Sequence, residues 1–250
     1  MIENLKGGYD FIPGTDYLSF GAVAKQGFAI ERAVLRNPQP VENALAIVEA
    51  HLASIGRPLA ALCGFEFRQY LTRQPAYEEF AAFNAKYIQD IRAANLLVGD
   101  RVPVARTNVI MNTGVDRKGG FLFAFSYTVP DPSPAKNFVM AAIPEVRFKS
   151  TGPEIVEAGQ TSPEATQRKI EFILDASTKN LAQMGVTWDD VTGTQLYCEI
   201  DVYPWAQSLI LPTMKTAGWR GIQWHRSVPP ASPAIIEFDF RSVRADLMLG

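Results

Sequence analysis

The chain has 250 residues, 47% of them hydrophobic and 20% charged, with 24 Lys and Arg against 26 Asp and Glu. That length allows one large domain or two of about 125 residues each, and suffices to bury a core without disulfides or structural metal. A net charge of −2 gives no electrostatic footprint for nucleic acid, and no apolar stretch approaches a membrane span, so neither partner is expected.

The N-terminus, MIENLKGGYDF, has neither the basic start nor the apolar core of a signal peptide, and a cytoplasmic location is expected. Residues 1–18 read as irregular, broken by Gly7, Gly8, Pro13 and Gly14. Phe20 to Leu35 reads as two short strands, closed by Pro38 and Pro40. A helix is predicted from Val41 to Ile55, where Val41, Ala44, Leu45, Val48, Leu52 and Ile55 share one face and Gly56 stands at the cap. A strand over Ala61–Tyr70 and a helix over Tyr77–Ile91 follow, then strands at Arg106–Met111 and Phe121–Val129. Pro130–Pro134 (PDPSP) is the best linker in the chain, separating a first unit, 1–129, from a second, 135–250. The second unit repeats the order: strand Phe138–Ile143, a loop, a helix from Pro163 to Met184 followed by Gly185, and strand Thr194–Val202. A second helix after Pro204, interrupted by Pro212, precedes strands Gly221–His225 and Ile235–Val243.

At an offset of 129, Glu42, Leu45, Leu52, Ala53, Gly56, Gly64, Pro75 and Lys86 meet Glu171, Leu174, Leu181, Ala182, Gly185, Gly193, Pro204 and Lys215. The identities are few. The matched Gly and Pro nevertheless mark helix end, strand start and helix start in one register without gaps. Each unit therefore reads β-β-α-β-α-β-β, an α+β two-layer sandwich with two helices over one sheet face. Phe121-Leu122-Phe123-Ala124-Phe125 is apolar on both alternations, so the other face is expected to be buried against the second copy or further chains.

Residues Phe138 to Pro204 (FVMAAIPEV, GPEIVEAG, ATQRKIEFILDASTKNLAQMGVTWDDVTGTQLYCEIDVYP) resemble the RidA/YjgF family of reactive-imine deaminases, as do Val41–Gly56 and Val102–Met111 of the first copy. The resemblance implies two RidA-like (chorismate-mutase-like) units in tandem, and homotrimers with sites between adjacent units. It also implies a small substrate whose carboxylate is held by arginine, with no cofactor. Pro103-Val104-Ala105-Arg106-Thr107 matches the family's P-x-A-R-[ST] context, which makes Arg106 a substrate-binding candidate. Arg220 is placed at the equivalent position of the second copy, with Trp219 beside it as a possible wall for a conjugated substrate. Glu237, in the strand IEFD, matches the family glutamate that positions water. The first copy's last strand, FLFAF, has no such acid. One kind of site, assembled where unlike copies meet, is therefore expected.

The chemistry suits those residue types. A guanidinium grips a carboxylate through two parallel hydrogen bonds, and a nearby carboxyl can direct water at an imine carbon. The ordinary alternatives are a structural ion pair for each arginine and a solvated face for Glu237. His225 reads as a satisfied, partly buried histidine, and His51 as surface or core edge. Asp189 and Asp190 read as turn caps. Cys63 and Cys198 read as buried free thiols, and no close Cys or His pair offers a metal site. The leading reading is a hydrolase or deaminase of a carboxylated imine or enamine, either 2-aminoacrylate-like or aminomuconate-type, with Arg220 or Arg106 as anchor and Glu237 directing water. The rivals are a chorismatase-like hydrolase of an enolpyruvyl ether, though such proteins are usually longer, and a non-catalytic ligand-binding or scaffolding protein.

Overall fold

The structure is a computed structural model that describes residues 1–111, 118–133, 135–149 and 152–250. Pro134, the last residue of the expected linker, lies outside the described residues. In chain order the first half contains β1 (Ile2–Asn4), β2 (Tyr9–Pro13), β3 (Ser19–Ala24), β4 (Phe28–Pro40), α1 (Ala44–Ser54), β5 (Leu62–Tyr70), α2 (Tyr77–Ala93), β6 (Ala105–Met111) and β7 (Gly119–Pro130). The second half opens with β8 (Phe138–Met140), β9 (Ile143–Pro144), β10 (Val146–Lys149), β11 (Gly152–Ile155), α3 (Pro163–Gln183) and β12 (Gly193–Cys198). A broken helical run contains the single turn α4 (Leu211–Met214), and β13 (Gln223–His225), β14 (Ser227–Val228), β15 (Ile236–Ser242) and β16 (Ala245–Leu249) complete the chain. Among the described residues no helix is long and apolar enough to cross a membrane.

The strands join in the order β13-β12-β15-β8-β3-β6-β5-β7-β4-β16. Within it, β6-β5-β7-β4 and β13-β12-β15-β8 have the same sequence of pairings: parallel, antiparallel, antiparallel. The fold is thus α+β, with one strand arrangement occurring twice. β3 stitches the halves by pairing both β8 and β6. β14 leaves β13 and pairs β6 of the other half, so the sheet curls and its two inner faces meet.

Each helical layer covers one outer face. Val48 and Leu52 of α1 and Tyr87 and Ile91 of α2 pack on Phe65, Phe67, Leu122 and Phe125. Ile170, Ile173, Leu174 and Leu181 of α3 pack on Leu196, Ile236, Phe238 and Phe240. Full burial of each such side chain contributes roughly 1.5–3 kcal/mol. The Ser162 hydroxyl accepts from the Ala165 N–H at 3.2 Å, and Pro163 opens α3 where a missing N–H does no harm. Gly56 and Gly185 end α1 and α3 at φ +70° and +68°, a left-handed cap that favours glycine.

Several expectations are corrected. Residues 1–18 are not irregular: β1 pairs β2 and β2 pairs β3, because Tyr9 and Phe11 alternate into the junction core. β4 is one long strand whose bulge between Val34 and Gln39 lets it rejoin β7 up to Pro40. β12 stops at Cys198, short of Val202. The helix expected after Pro204 breaks into 3-10 and π turns around Pro212, whose ring cannot continue an α ladder. β10 and β11 form a hairpin where a loop was expected, and β16 returns to the first half to pair β4 in parallel.

The layer between the halves also differs from the apolar packing that FLFAF suggests. Leu122 and Phe125 do enter the helical core, but the Phe123 ring lies under the guanidinium of Arg68 at 4.5 Å. Around it is a buried polar network. Arg32 Nη2 donates to Glu66 at 2.8 Å, Gln195 donates to Glu66 at 3.3 Å, and Arg68 donates to the Tyr197 hydroxyl at 3.1 Å. Tyr197 and Thr107 each donate to Asp239 at 2.9 Å. The cause is strand alternation: Glu66 and Arg68 point opposite to Phe65 and Phe67. Positions matched by the sequence repeat, Glu66 with Gln195 and Arg68 with Tyr197, touch each other across this junction.

Candidate active site

A cavity of about 490 Å³ opens between the halves. Tyr17, Phe80, Arg106 and Asn108 line it from the first half, and the β10–β11 hairpin, Phe172 of α3 and Glu237 of β15 line it from the second. Its walls are mostly apolar with a few convergent polar groups, which is the usual make-up of a small-molecule site.

Arg106 sits on β6 opposite Phe65 and is 2% exposed. Nη2 donates to Asn84 Oδ1 at 2.6 Å, while Nε and Nη1 have no hydrogen-bond partner. The rings of Tyr87, Tyr17, Phe83 and Phe80 surround the guanidinium at 4.6, 5.2, 5.5 and 5.8 Å. Burial pulls the Arg106 pKa below its ordinary value, partly offset by Tyr87, Tyr17 and Glu237. Arginine nevertheless remains cationic at neutral pH. The aromatic cage stabilises the cation without neutralising it, so a ligand carboxylate has a buried positive charge to meet. Burial also pushes the Tyr87 phenol up to about 12, so that ring stays neutral.

Glu237 lies on β15 between Tyr197 of β12 and Pro144 of β9, and is 4% exposed. Its Oε2 has no partner. Burial, then the nearby carboxylates of Asp239 and Glu145, push its pKa well above the ordinary range, outweighing Arg106 and Arg68. The shift favours the protonated form, the form in which a buried carboxyl can donate a proton. Asn108, two residues beyond Arg106 on the same strand face, accepts from Gln69 at 2.7 Å and leaves Nδ2 unpartnered. Three residues thus bring four unpartnered buried polar atoms to one cavity.

The second half's wall hangs on a buried ion pair. Glu145, fully buried, accepts from the Ile235 and Ile236 N–H groups at 2.7 and 3.1 Å, and Lys169 Nζ lies 3.3 Å away. Lys169 also donates to the Val156 carbonyl at 2.8 Å, tying α3 to the strand before Glu237 and to the end of the hairpin. Sequence reasoning passed over this pair and over Asn108. The available signal was a lysine on the buried stripe of α3, four residues before Ile173.

Of the residues singled out in sequence, Arg106 and Glu237 come together across the junction. Arg220 and Trp219 do not line the cavity; both are exposed, Trp219 to 90%, in a 3-10 turn. Arg220 does not occupy the position equivalent to Arg106. Arg106 precedes Thr107, which pairs Glu66; Gln223 pairs Gln195, the repeat-mate of Glu66, so Ile222 answers to Arg106. His225 is satisfied, as read: Nε2 meets Gln195 Oε1 at 3.1 Å and the ring stacks on Tyr197. Burial, then Arg68, lowers its pKa to about 4. Cys63 and Cys198 are buried and free, and Asp190 caps the Thr187 N–H at 2.8 Å.

Comparison with known proteins decides the family. Residues 1–247 match the family model described as 2-aminomuconate deaminase CnbZ. The chain belongs to that family. It is 34% identical over 251 residues to a 2-amino-5-chloromuconate deaminase of Comamonas testosteroni, spanning 97% of this chain and 96% of that protein. The chain is therefore an enzyme acting on C–N bonds, which overturns the non-catalytic reading. Among solved structures, a chorismatase is similar over 90% of this chain and 77% of its own, at 13% identity and a TM-score of 0.48. A YjgF/YER057c/UK114 family member from Mycobacterium tuberculosis is similar over 46% of this chain and 82% of its own, at 15% identity and a TM-score of 0.28.

Proposed function

We propose that the chain deaminates a 2-aminomuconate-type dienamine by hydrolysis in the junction cavity, with Arg106 as carboxylate anchor and Glu237 as proton shuttle. The observation that carries this is the pairing, in one cavity, of a buried guanidinium from one half with a buried carboxyl from the other, the pKa of the carboxyl being raised by burial. Family membership supplies the reaction type. Nε and Nη1 of Arg106 hold the carboxylate beside the amino-bearing carbon. The Glu237 carboxyl donates its proton to the conjugated carbon chain, turning the enamine into an iminium ion. Carboxylate Glu237 then takes a proton from the water that attacks the iminium carbon. The carbinolamine collapses as Glu237 passes that proton to nitrogen and recovers one from the hydroxyl. Ammonia and the 2-oxo acid leave, and Glu237 is again protonated. Asn108 Nδ2 is available to the substrate carboxylate or to the developing carbonyl oxygen.

The same reading takes the chain to be a tandem of two RidA-like units, 1–129 and 135–250, assembling as a cytoplasmic homotrimer. Arg220 and Trp219 have no part in the site within one chain. Ammonia release from 2-aminomuconate tests the reaction. Arg106→Gln is expected to lower kcat/KM by about 10²–10³-fold, on the order of 3–4 kcal/mol for removing one side of a buried charge-assisted pair. A folded Arg106→Gln enzyme with undiminished kcat/KM, or pyruvate release from chorismate by the unmodified protein, would overturn the assignment.

A further inference from the structure

The cavity has a second guanidinium that the deamination itself does not use. Arg147, on β10 of the hairpin, lines the same space as Arg106. We propose that Arg147 is a second carboxylate anchor and selects an elongated dicarboxylate over a short monocarboxylate; this rests on the deaminase reading above. Among the described residues, Arg106 and Arg147 are the two cationic side chains of the lining, and Glu237 is its one acidic residue. With the pKa of that carboxyl raised by burial, positive charge outweighs negative on the described wall, and a dianion is the complementary ligand.

Arg147 is positioned for this. Its guanidinium stacks over the Phe172 ring, 5.0 Å from the centroid, and Phe172 is itself part of the wall. Its ion pair is weak competition. Nη1 reaches Glu154 at 3.2 Å, but both side chains are nearly half exposed, where such pairs contribute little. Glu154 is also held by Lys149, so it keeps a countercharge when Arg147 turns to a ligand. Size agrees with charge. A space of about 490 Å³ is far larger than a three-carbon 2-aminoacrylate needs and leaves room for a six-carbon chain.

Two stable isosteres separate the contributions: trans,trans-muconate, which has a carboxylate at each end of a six-carbon diene, and sorbate, which has a methyl group at one end. Binding of each to the full chain is measured by calorimetry. The unmodified protein is expected to bind muconate about tenfold tighter than sorbate, the equivalent of one modest ionic contact. Arg147→Gln is expected to bring muconate to the sorbate level and leave sorbate within about twofold, and Arg147→Lys to restore part of the difference. Arg106→Gln is expected to weaken both ligands. An unchanged muconate-to-sorbate ratio in Arg147→Gln overturns the second anchor and leaves the deaminase reading standing. Sorbate binding that survives Arg106→Gln overturns the first anchor, and with it the reading on which this inference rests.

Discussion

The two halves share a strand order and differ at the two positions proposed to carry the chemistry. Phe121 pairs Arg68 on β5, and Glu237 pairs Tyr197, the repeat-mate of Arg68, on β12. The first half therefore has phenylalanine where the second has its acid, and the second has Ile222 where the first has Arg106. Neither half holds a complete set. The polar junction brings the surviving member of each pair to one cavity. On the proposed reading, two matching half-sites have become one asymmetric site, in which anchor and proton donor can be tuned separately.

The sharpest way to break that comparison is Glu237→Gln. Amide for carboxyl keeps shape and removes the proton shuttle, and kcat is expected to fall by about 10²–10⁴-fold with KM little changed. Stability should move the other way. The folded-state pKa of Glu237 is raised above 4.5, so its contribution is full below that value and lost as pH rises through the folded pKa. The variant avoids this loss. Its melting temperature is expected to exceed that of the parent at pH 8, by about 2–4 °C per kcal/mol recovered, and to converge with it near pH 4. A less active variant with no alkaline gain would show that the parent carboxyl is not held protonated.

Glu66 sharpens the contrast from the other side. Both carboxyls are buried on inner sheet faces, yet Glu66 is clamped by Arg32 and Arg68 while Glu237 has no ion-pair partner. Against the upward push of burial, Arg32 and then Arg68 hold Glu66 well below the carboxylate range. The pKa of one is lowered by its arginines, and that of the other is raised by burial. Glu66→Gln takes the ion-pair partner from buried Arg68 and leaves Arg32 with Asp246 alone, and is expected to destabilise the fold by ~3–5 kcal/mol, lowering the melting temperature on the order of 10 °C. The sign is opposite to that of Glu237. Glu66 contributes above its unfolded value of 4.5 and the contribution disappears as pH falls through the lowered folded value, so the deficit should shrink in acid.

Helix positions were legible because their signals are local. The 3.6-residue stripes of α1 and α3, with Gly56 and Gly185 beyond them, need no knowledge of the rest of the chain. Arg106 and Glu237 could be singled out because their strand contexts resemble those of the RidA/YjgF family, and the prediction of a site between unlike copies followed from what each copy lacks. What was missed depends on distant partners. Tyr9 and Phe11 become strand residues only because β3 lies beside them, and β16 becomes one through an edge more than 200 residues earlier in sequence. Glu66 and Arg68, alternating with Phe65 and Phe67 on one strand, have no local signal of burial. Their burial requires Gln195 and Tyr197 from the other half, which no windowed reading of residues 62–70 contains. Arg220 was misplaced for a related reason: a fixed proline spacing ignores that the second half's helix is broken, and the pairing of β13 with β12 sets the register instead.

Arg220 therefore gives the smallest expected effect and a strict one. It is exposed, its side chain is absent from the cavity lining, and the residue answering to Arg106 is apolar. Arg220→Ala should leave kcat/KM for the dienamine within about twofold and stability within ±0.5 kcal/mol, as for an ordinary surface substitution. Placing the charge where the register says it belongs, by Ile222→Arg, should not rescue Arg106→Gln, because that position has no aromatic cage like that of Tyr17, Phe80, Phe83 and Tyr87. A large loss in Arg220→Ala would mean that the exposed turn completes a site on a neighbouring chain. The asymmetry between the halves would then be a property of the assembly and not of the single polypeptide.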